Sequence, residues 1–259
     1  MIDIHSHILS NLDDGPSSEE GSLLMAKLAA EEGIRTIIAT PHHKNGRFEN
    51  EKESIIHKIC TLQTLLDEKK IDIKIVPGQE IRLYGEIVED YVNNRLLPLD
   101  GEGGKYLLIE LPTNHLPHFT ETLLFELQLQ GVIPVIAHPE RNAVFIENPE
   151  KLYKFVLHGA VTQVTTSSIV GNFGKKIQNF SHQLIEHNLT HIIASDAHNT
   201  ASRSFCMKEA LNVVSIKYGH EKTLMYENNS EAIVRGENLM REIPSLPSSK
   251  GIWRTLFRL

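Results

Sequence analysis

Two histidines spaced two apart near the start of the chain, His5 and His7, are the first residues whose types and spacing could do chemistry. They follow an apolar run, Ile2-Asp3-Ile4, that reads as a short buried strand. Side chains alternate along a strand, so both imidazoles point one way, one above the other. Neutral imidazoles placed like that are a ready pair of metal ligands. The acidic turn Asp13-Asp14-Gly15-Pro16 could bring a carboxylate back over the same opening. The pair alone is weak evidence, because a histidine at a strand end is more often an ordinary polar side chain.

Partners recur at the ends of other apolar runs. Thr36-Ile37-Ile38-Ala39-Thr40-Pro41 leads into His42 and His43, and Ile75-Val76-Pro77-Gly78-Gln79 into Glu80. Leu107-Leu108-Ile109 leads into Glu110, Val135-Ile136-Ala137 into His138 with Arg141 behind it, and Ile192-Ile193-Ala194-Ser195 into Asp196 and His198 with Arg203 beyond. Only the run ending Thr165-Thr166-Ser167 offers hydroxyls and no strong ligand. Five histidines and four carboxylates suffice for two or three ions with positions left for water and substrate. Oxygen and imidazole donors without thiolate suit Mn, Zn or Fe and do not choose among them. His43 has the opposite parity to His42, and the remaining histidines read as structural or solvated.

The elements that must position these residues are legible as alternating strands and helices. Strands are expected over Ile2–His5, Arg35–Thr40, Ile73–Pro77, Tyr106–Leu111, Val132–Ala137, Val161–Thr165 and His191–Ser195. Amphipathic helices are expected over Ser18–Glu32, Asn50–Lys69, Tyr84–Asn94, Phe119–Gln130, Pro149–His158, Gly174–His187 and Phe205–Tyr218. The strands are nearly continuous apolar runs, the mark of parallel strands covered by helices. The expectation is an α/β fold, one TIM-like (β/α) barrel of about seven strands over residues 1–244, whose strand ends converge on one mouth. A doubly wound open sheet is the runner-up. No G-x-G-x-x-G follows the first strand, and Gly171-Asn172-Phe173-Gly174-Lys175-Lys176 lacks P-loop spacing, so it reads as a loop entering a helix whose amides could still face an anion.

Composition narrows the function. The 259 residues carry a formal charge of −7, which argues against a nucleic-acid binder. No apolar run is long enough to span a bilayer and no signal peptide is evident, so a cytoplasmic location is expected. Cys60 and Cys206 are unpaired in spacing and read as buried small residues. A thiol phosphatase needs an arginine six residues after its cysteine; Leu66 and Asn212 stand there. Residues 245–259 differ from the rest, with cations interleaved among Ile252, Trp253, Leu256, Phe257 and Leu259, a pattern suited to a partner, a membrane surface or the barrel's own helices.

Taken together, Asp3-Ile4-His5-Ser6-His7, Thr40-Pro41-His42-His43, Gly78-Gln79-Glu80, Ile136-Ala137-His138-Pro139-Glu140-Arg141 and Ser195-Asp196-Ala197-His198 resemble the polymerase-and-histidinol-phosphatase (PHP) family. Within it the chain resembles the bacterial metal-dependent tyrosine-protein phosphatases of capsule and exopolysaccharide operons, the YwqE/CpsB type. The resemblance implies a distorted seven-stranded barrel and a trinuclear centre, usually manganese (Mn2+). Carried over by motif, His5, His7, Glu80 and Asp196 would hold one ion, Glu80 would bridge to a second held with Glu110 and His138, and Asp14, His42 and His198 would hold the third. Arg141 and Arg203 would correspond to phosphate-binding arginines, and Asp3 to support behind the ligands. Related amidohydrolases carry a lysine where Glu110 stands. The implied activity is hydrolysis of phosphotyrosine by a metal-bridged hydroxide, opposing a bacterial tyrosine kinase in capsule and exopolysaccharide regulation. Asp14 and His43 are the candidates for a proton donor. The alternative is a small-molecule phosphomonoesterase such as a histidinol phosphatase; a nuclease and a non-catalytic metal scaffold weigh less.

Overall fold

The computed structural model describes residues 1–101 and 103–247. Each expected strand forms, and two of them are followed, after a two-residue gap, by a further, unexpected short strand. In chain order the strands are β1 (Ile2–Ser6), β2 (Thr36–Ala39), β3 (His42–His43), β4 (Lys74–Pro77), β5 (Glu80–Arg82), β6 (Tyr106–Glu110), β7 (Ile133–Ala137), β8 (Val161–Thr165) and β9 (Ile192–Ala194). Between and after them lie α1 (Glu19–Glu31), α2 (Lys52–Glu68), α3 (Ile87–Val92), α4 (Thr120–Leu129), α5 (Ala143–Glu147), α6 (Pro149–Leu157), α7 (Thr166–Val170), α8 (Lys175–Glu186), α9 (Met207–Tyr218) and α10 (His220–Val234). Ser18 caps α1 by accepting from Gly21 N.

All strand pairing is parallel. Strands β1, β2 and β4 form one sheet, and β3, β5, β6, β7, β8 and β9 form another. Among the described residues these pairings draw two sheets and not one closed seven-stranded ring. Two short gaps separate them. Thr40 and Pro41 divide β2 from β3, and Gly78 and Gln79 divide β4 from β5. At Gly78 the chains pass so closely that an added Cβ would stand 2.6 Å from Ile38 Cγ2. A parallel bridge from Ser6 to Ala197 ties the end of β1 to the chain just past β9. There Asp196 N donates to His5 O at 2.8 Å and His7 N to Ala197 O at 2.9 Å.

Both faces of the strands are buried, which explains their continuous apolar runs. Ile4, Ile38, Leu108, Val135, Val161 and Ile192, from both sheets, share one inner cluster. The alternate residues, such as Ile37, Leu107, Ile109, Ile136 and Val164, pack outward against the helices. The inner parity then runs on into the polar residues: Ile38 to His42, Leu108 to Glu110, Val161 to Gln163, Ile192 to Asp196. Strict alternation fails in β1, where Ile4 lies in the inner cluster and His5 also turns toward the site. The register between Asp3 and Ser6 is irregular at that point, as a bulge would make it.

Helix α10 has no counterpart in the sequence reading. It buries Thr223, Asn229 and Ser230 along with Met225, Tyr226 and Ile233, so it shows no clean apolar stripe. Asn229 explains why polar residues belong there, since its amide donates to His191 O and Met240 O and accepts from Met240 N. The chain beyond lies against the end of α8, where Ser245 N donates to His187 O and Asn188 Nδ2 to Ile243 O. The unusual tail beyond it, residues 248–259, lies outside the described residues. Among the described residues no helix is long and apolar enough to cross a membrane.

His191, at the start of β9, is buried at 3% exposure and its Nδ1 accepts from Thr162 N. Burial lowers its pKa to about 3. The native state therefore refuses a proton that the unfolded chain takes up below about pH 6.5, so stability falls as pH drops through that range. In metal-free buffer, His191→Gln is expected to lose about 2 kcal/mol less than the parent between pH 6.5 and 5, measured by denaturant unfolding. Equal losses in the two proteins would contradict this.

Candidate metal centre

Nine residues expected at strand ends come together in one place. Every His–carboxylate group that could hold an ion among the described residues is drawn from them: His7, Asp14, His42 and His198; His5, Glu80 and His138; His5, His7 and Asp196; and His42, Glu80 and Glu110, each with ligand atoms within 4.8 Å of one another. Glu80 lies at the centre, fully buried. His138 Nε2 is 2.7 Å from its Oε1, and its Oε2 stands 2.9 Å from His42 Nδ1, 3.2 Å from His7 Nε2 and 3.4 Å from His5 Nε2. Asp14 closes the outer side, 3.3 Å from His198 Nε2 and 3.5 Å from His42 Nε2. Glu110 groups with His42 and Glu80, while His138 falls in the group containing His5. His43 belongs to none of these groups.

Three imidazoles are oriented in the same manner. His5 Nδ1 donates to Gln163 Oε1 at 2.9 Å, His7 Nδ1 to Asp13 Oδ2 at 2.6 Å, and His198 Nδ1 to Asp196 O at 2.9 Å. Each thereby turns its Nε2 toward the cluster, the nitrogen that would bind a metal. Without an ion, burial opposes protonation, but Glu80 and Asp196 raise the pKa of His5, and Asp13 with Asp196 and Glu80 raises that of His7. His138 is reached differently. Its parity in β7 would carry it outward, and a left-handed backbone, φ 33° and ψ 54°, turns it inward. Asp196 is also left-handed, at φ 53°. Non-glycine residues seldom adopt such conformations, and they cluster at functional sites.

The fit to divalent cations rests on atoms left over. His42 Nδ1, Glu80 Oε2, Asp196 Oδ1 and His198 Nε2 are buried close to one another without a well-formed hydrogen bond among the described residues. Burying such an atom unsatisfied costs about 1–3 kcal/mol, and converging lone pairs are satisfied together by a cation. The electrostatics agree. Burial pushes Glu80 up, yet His42, His5 and His138 outweigh it and hold its carboxyl well below the usual range. Burial likewise opposes Asp196, which Arg141 and His5 keep ionised. Burial and the Arg141 charge bring His138 to about 4, and burial and the His7 charge bring His198 to about 4, so both remain neutral donors. Burial and the neighbouring Glu80 charge raise Glu110 to about 7.

Arg141 and Arg203 stand at the mouth. Arg141 Nη1 lies 2.8 Å and Arg203 Nη2 3.0 Å from Asp196 Oδ2, and Arg203 Nη1 lies 3.4 Å from Asp14 Oδ2. With Asp14, His42, Glu80, Glu110, His138 and Asp196 they line a cavity of about 400 Å³. Several residues at the site carried no signal in the sequence. Asp13 was hidden beside Asp14, and Gln163 sits on a strand that ends in hydroxyls. Arg82 pairs with Glu110 Oε2 at 3.0 Å because the register sets the two side by side. Glu140 is buried and accepts from Ser168 Oγ and Thr165 N, which fixes the turn carrying Arg141. Asp3 holds Ser195 N and Oγ and touches no imidazole.

An all-parallel α/β fold whose strand ends converge on a buried histidine–carboxylate cluster defines an α/β protein with a candidate polynuclear metal centre. The model of capsular polysaccharide synthesis proteins, CpsB/CapC, matches residues 1–235, and the chain belongs to that family. It is 46% identical to the tyrosine-protein phosphatase YwqE of Bacillus subtilis over 94% of this chain and 95% of that protein. It is 37% identical to the putative tyrosine-protein phosphatase CapC of Staphylococcus aureus over 98% of each. The structures of YwqE from Bacillus subtilis and CpsB from Streptococcus pneumoniae, described as metal-dependent tyrosine phosphatases, match with a TM-score of 0.92 at 45% identity, covering 95% of this chain and 99% of that one. A β-aspartyl dipeptidase from Fervidobacterium islandicum, 12% identical with a TM-score of 0.53, shares the fold alone.

Asp13 is expected to act through His7 without being a ligand itself. Asp13→Asn should lower metal affinity about 10- to 100-fold while the protein remains folded, read by titration against a competing chelator. An unchanged affinity would show that the 2.6 Å contact does not orient His7 for a metal.

Proposed function

We propose that this protein is a metal-dependent tyrosine-protein phosphatase acting in capsule and exopolysaccharide regulation. The observation that carries it is the end-to-end similarity to proteins named as such, with two arginines over a buried ligand cluster. His5, His7, Glu80, Glu110, His138, Asp196, Asp14, His42 and His198 would hold divalent ions, and three manganese ions fit the oxygen–imidazole donor set, with zinc or iron also compatible. When bound, such ions lower the pKa of water and neutralise phosphoryl charge. The two sheets are read as one distorted seven-stranded barrel, since the inner cluster draws on both.

The side chains supply recognition. Arg141 and Arg203 meet at Asp196 Oδ2, so a phosphate bound beside that carboxylate faces two guanidinium forks. The adjoining His198, whose Nε2 lies 3.3 Å away, holds the Asp14 carboxyl well below the usual range against the pull of burial, so Asp14 would serve as a ligand and not as a proton donor. A tyrosyl oxygen, with a pKa of about 10, leaves with less protonation than a serine alkoxide, which suits a site without an evident acid. The substrates are tyrosine-phosphorylated proteins, among them a bacterial tyrosine kinase and its targets, in the cytoplasm. Residues 245–259 are proposed as a basic, aromatic appendage to the phosphatase domain of residues 1–244.

Stripping metal and restoring Mn2+ is expected to restore turnover of a phosphotyrosine peptide in preference to histidinol phosphate. The reverse preference would favour a small-molecule phosphatase, and inactivity toward both with metal bound would defeat either reading. Arg141→Ala should keep its metals and raise the inhibition constant of inorganic phosphate about 30- to 100-fold. Loss of metal in that variant would overturn the assignment of Arg141.

A further inference from the structure

The cavity over the centre is lined by two unlike sets of residues. One consists of imidazoles, carboxylates and arginines, and the other is apolar, with Leu111, Phe145 and Phe173 in it. Phosphate chemistry requires the first set. The metal centre makes no use of the second, and a volume of about 400 Å³ lies in the range of sites that enclose a small organic group. Phe145 is fully buried and belongs to the core, whereas Phe173 is only partly buried and stands on the turn between α7 and α8.

That turn is braced. Gly171 and Gly174, on either side of the pair Asn172-Phe173, take φ of 96° and 87°, which glycine tolerates and other residues resist. Gly171 N and Asn172 N both donate to Ser167 O, and Gly174 N donates to Gly171 O. Gln178 packs beneath, its Nε2 donating to Ile169 O, and a Cβ on Gly171 would meet its amide at 2.8 Å. The Phe173 ring is thereby held with its centroid 5.7 Å from the Arg141 guanidinium carbon. Arg141 in turn reaches Asp196 at 2.8 Å. Centre, guanidinium and aromatic ring thus follow one another along the cavity lining.

We infer that Phe173 is a specificity-determining residue, forming beside Arg141 the subsite for the aryl ring of a phosphate ester. The inference rests on the phosphatase reading and names what that site prefers. A phosphate gripped by Arg141 sets its ester substituent next to Phe173. A phenyl ring gains an aromatic contact there, while a short alkyl group, as in phosphoserine, does not reach it. The contact is present before and during reaction alike, so it acts on KM and leaves kcat unmoved.

Non-hydrolysable phosphonates read this without turnover. Phenylphosphonate and methylphosphonate are titrated as ligands of the Mn2+-loaded protein, wild type beside Phe173→Ala and Phe173→Tyr, with metal content and melting temperature checked in each. Phe173→Ala is expected to weaken phenylphosphonate about three- to fifteen-fold and methylphosphonate by less than about two-fold, with Phe173→Tyr close to wild type. On a phosphotyrosine peptide the loss should fall in KM. Equal weakening of the two phosphonates, or no weakening of phenylphosphonate, overturns the subsite. The phosphonate comparison stands apart from hydrolysis of the peptide by the wild type, which tests the phosphatase reading itself.

Discussion

A carboxylate with no exposed surface, Glu80, is the charge on which the site depends. Burying it alone would cost several kcal/mol. His5, His7, His42 and His138 all bring ring nitrogens to within 3.4 Å of it. Asp196 is buried nearly as deeply and is answered by Arg141, Arg203 and His5. Glu80 finds no partner on its own strand, and of Arg141, Arg203 and His5 only Arg203 lies in the segment after Asp196. Most partners come from other strand ends, so the cluster is satisfied only when the strands are in register. The same charges that favour cations therefore also reward correct assembly of the sheets.

That requirement explains the irregularities of the backbone. A regular strand offers one inward side chain every two residues, too few for this many ligands at one level. The bulge in β1 lets Ile4 remain in the inner core while His5 turns to the site. The left-handed residue His138 swings a side chain of outward parity back onto Glu80. The gaps that split β2 from β3 and β4 from β5 place His42 opposite Glu80 in a new pairing, His42 to Glu80 and Arg82 to Glu110. At those gaps the strand pairing passes from one sheet to the other.

Around this core the supporting residues divide the labour. Asp13, Gln163 and the Asp196 carbonyl set the tautomers of three histidines, and Arg82 anchors Glu110. Glu140 ties the turn carrying Arg141 to α7, and the turn after α7 carries Phe173. Strand β8, which supplies none of the grouped ligands, thus supports both the ligands and the cavity lining beyond them.

The sequence by itself determined the strand–helix alternation, the strand that each ligand follows and the chemistry of the donor set, because apolar runs and side-chain types are local properties. It missed α10, whose buried face mixes polar with apolar residues because Asn229 bonds to other segments. It left Asp13, Gln163 and Arg82 unmarked, since a residue's role as a second partner depends on which strand lies beside its own. The grouping of ligands was also beyond it. Glu110 stands with His42 and Glu80, and His138 with His5 and Glu80, because strand register and one left-handed residue decide those distances. Residue types named the candidate ligands of a centre; only the tertiary structure decided which of them share an ion's reach.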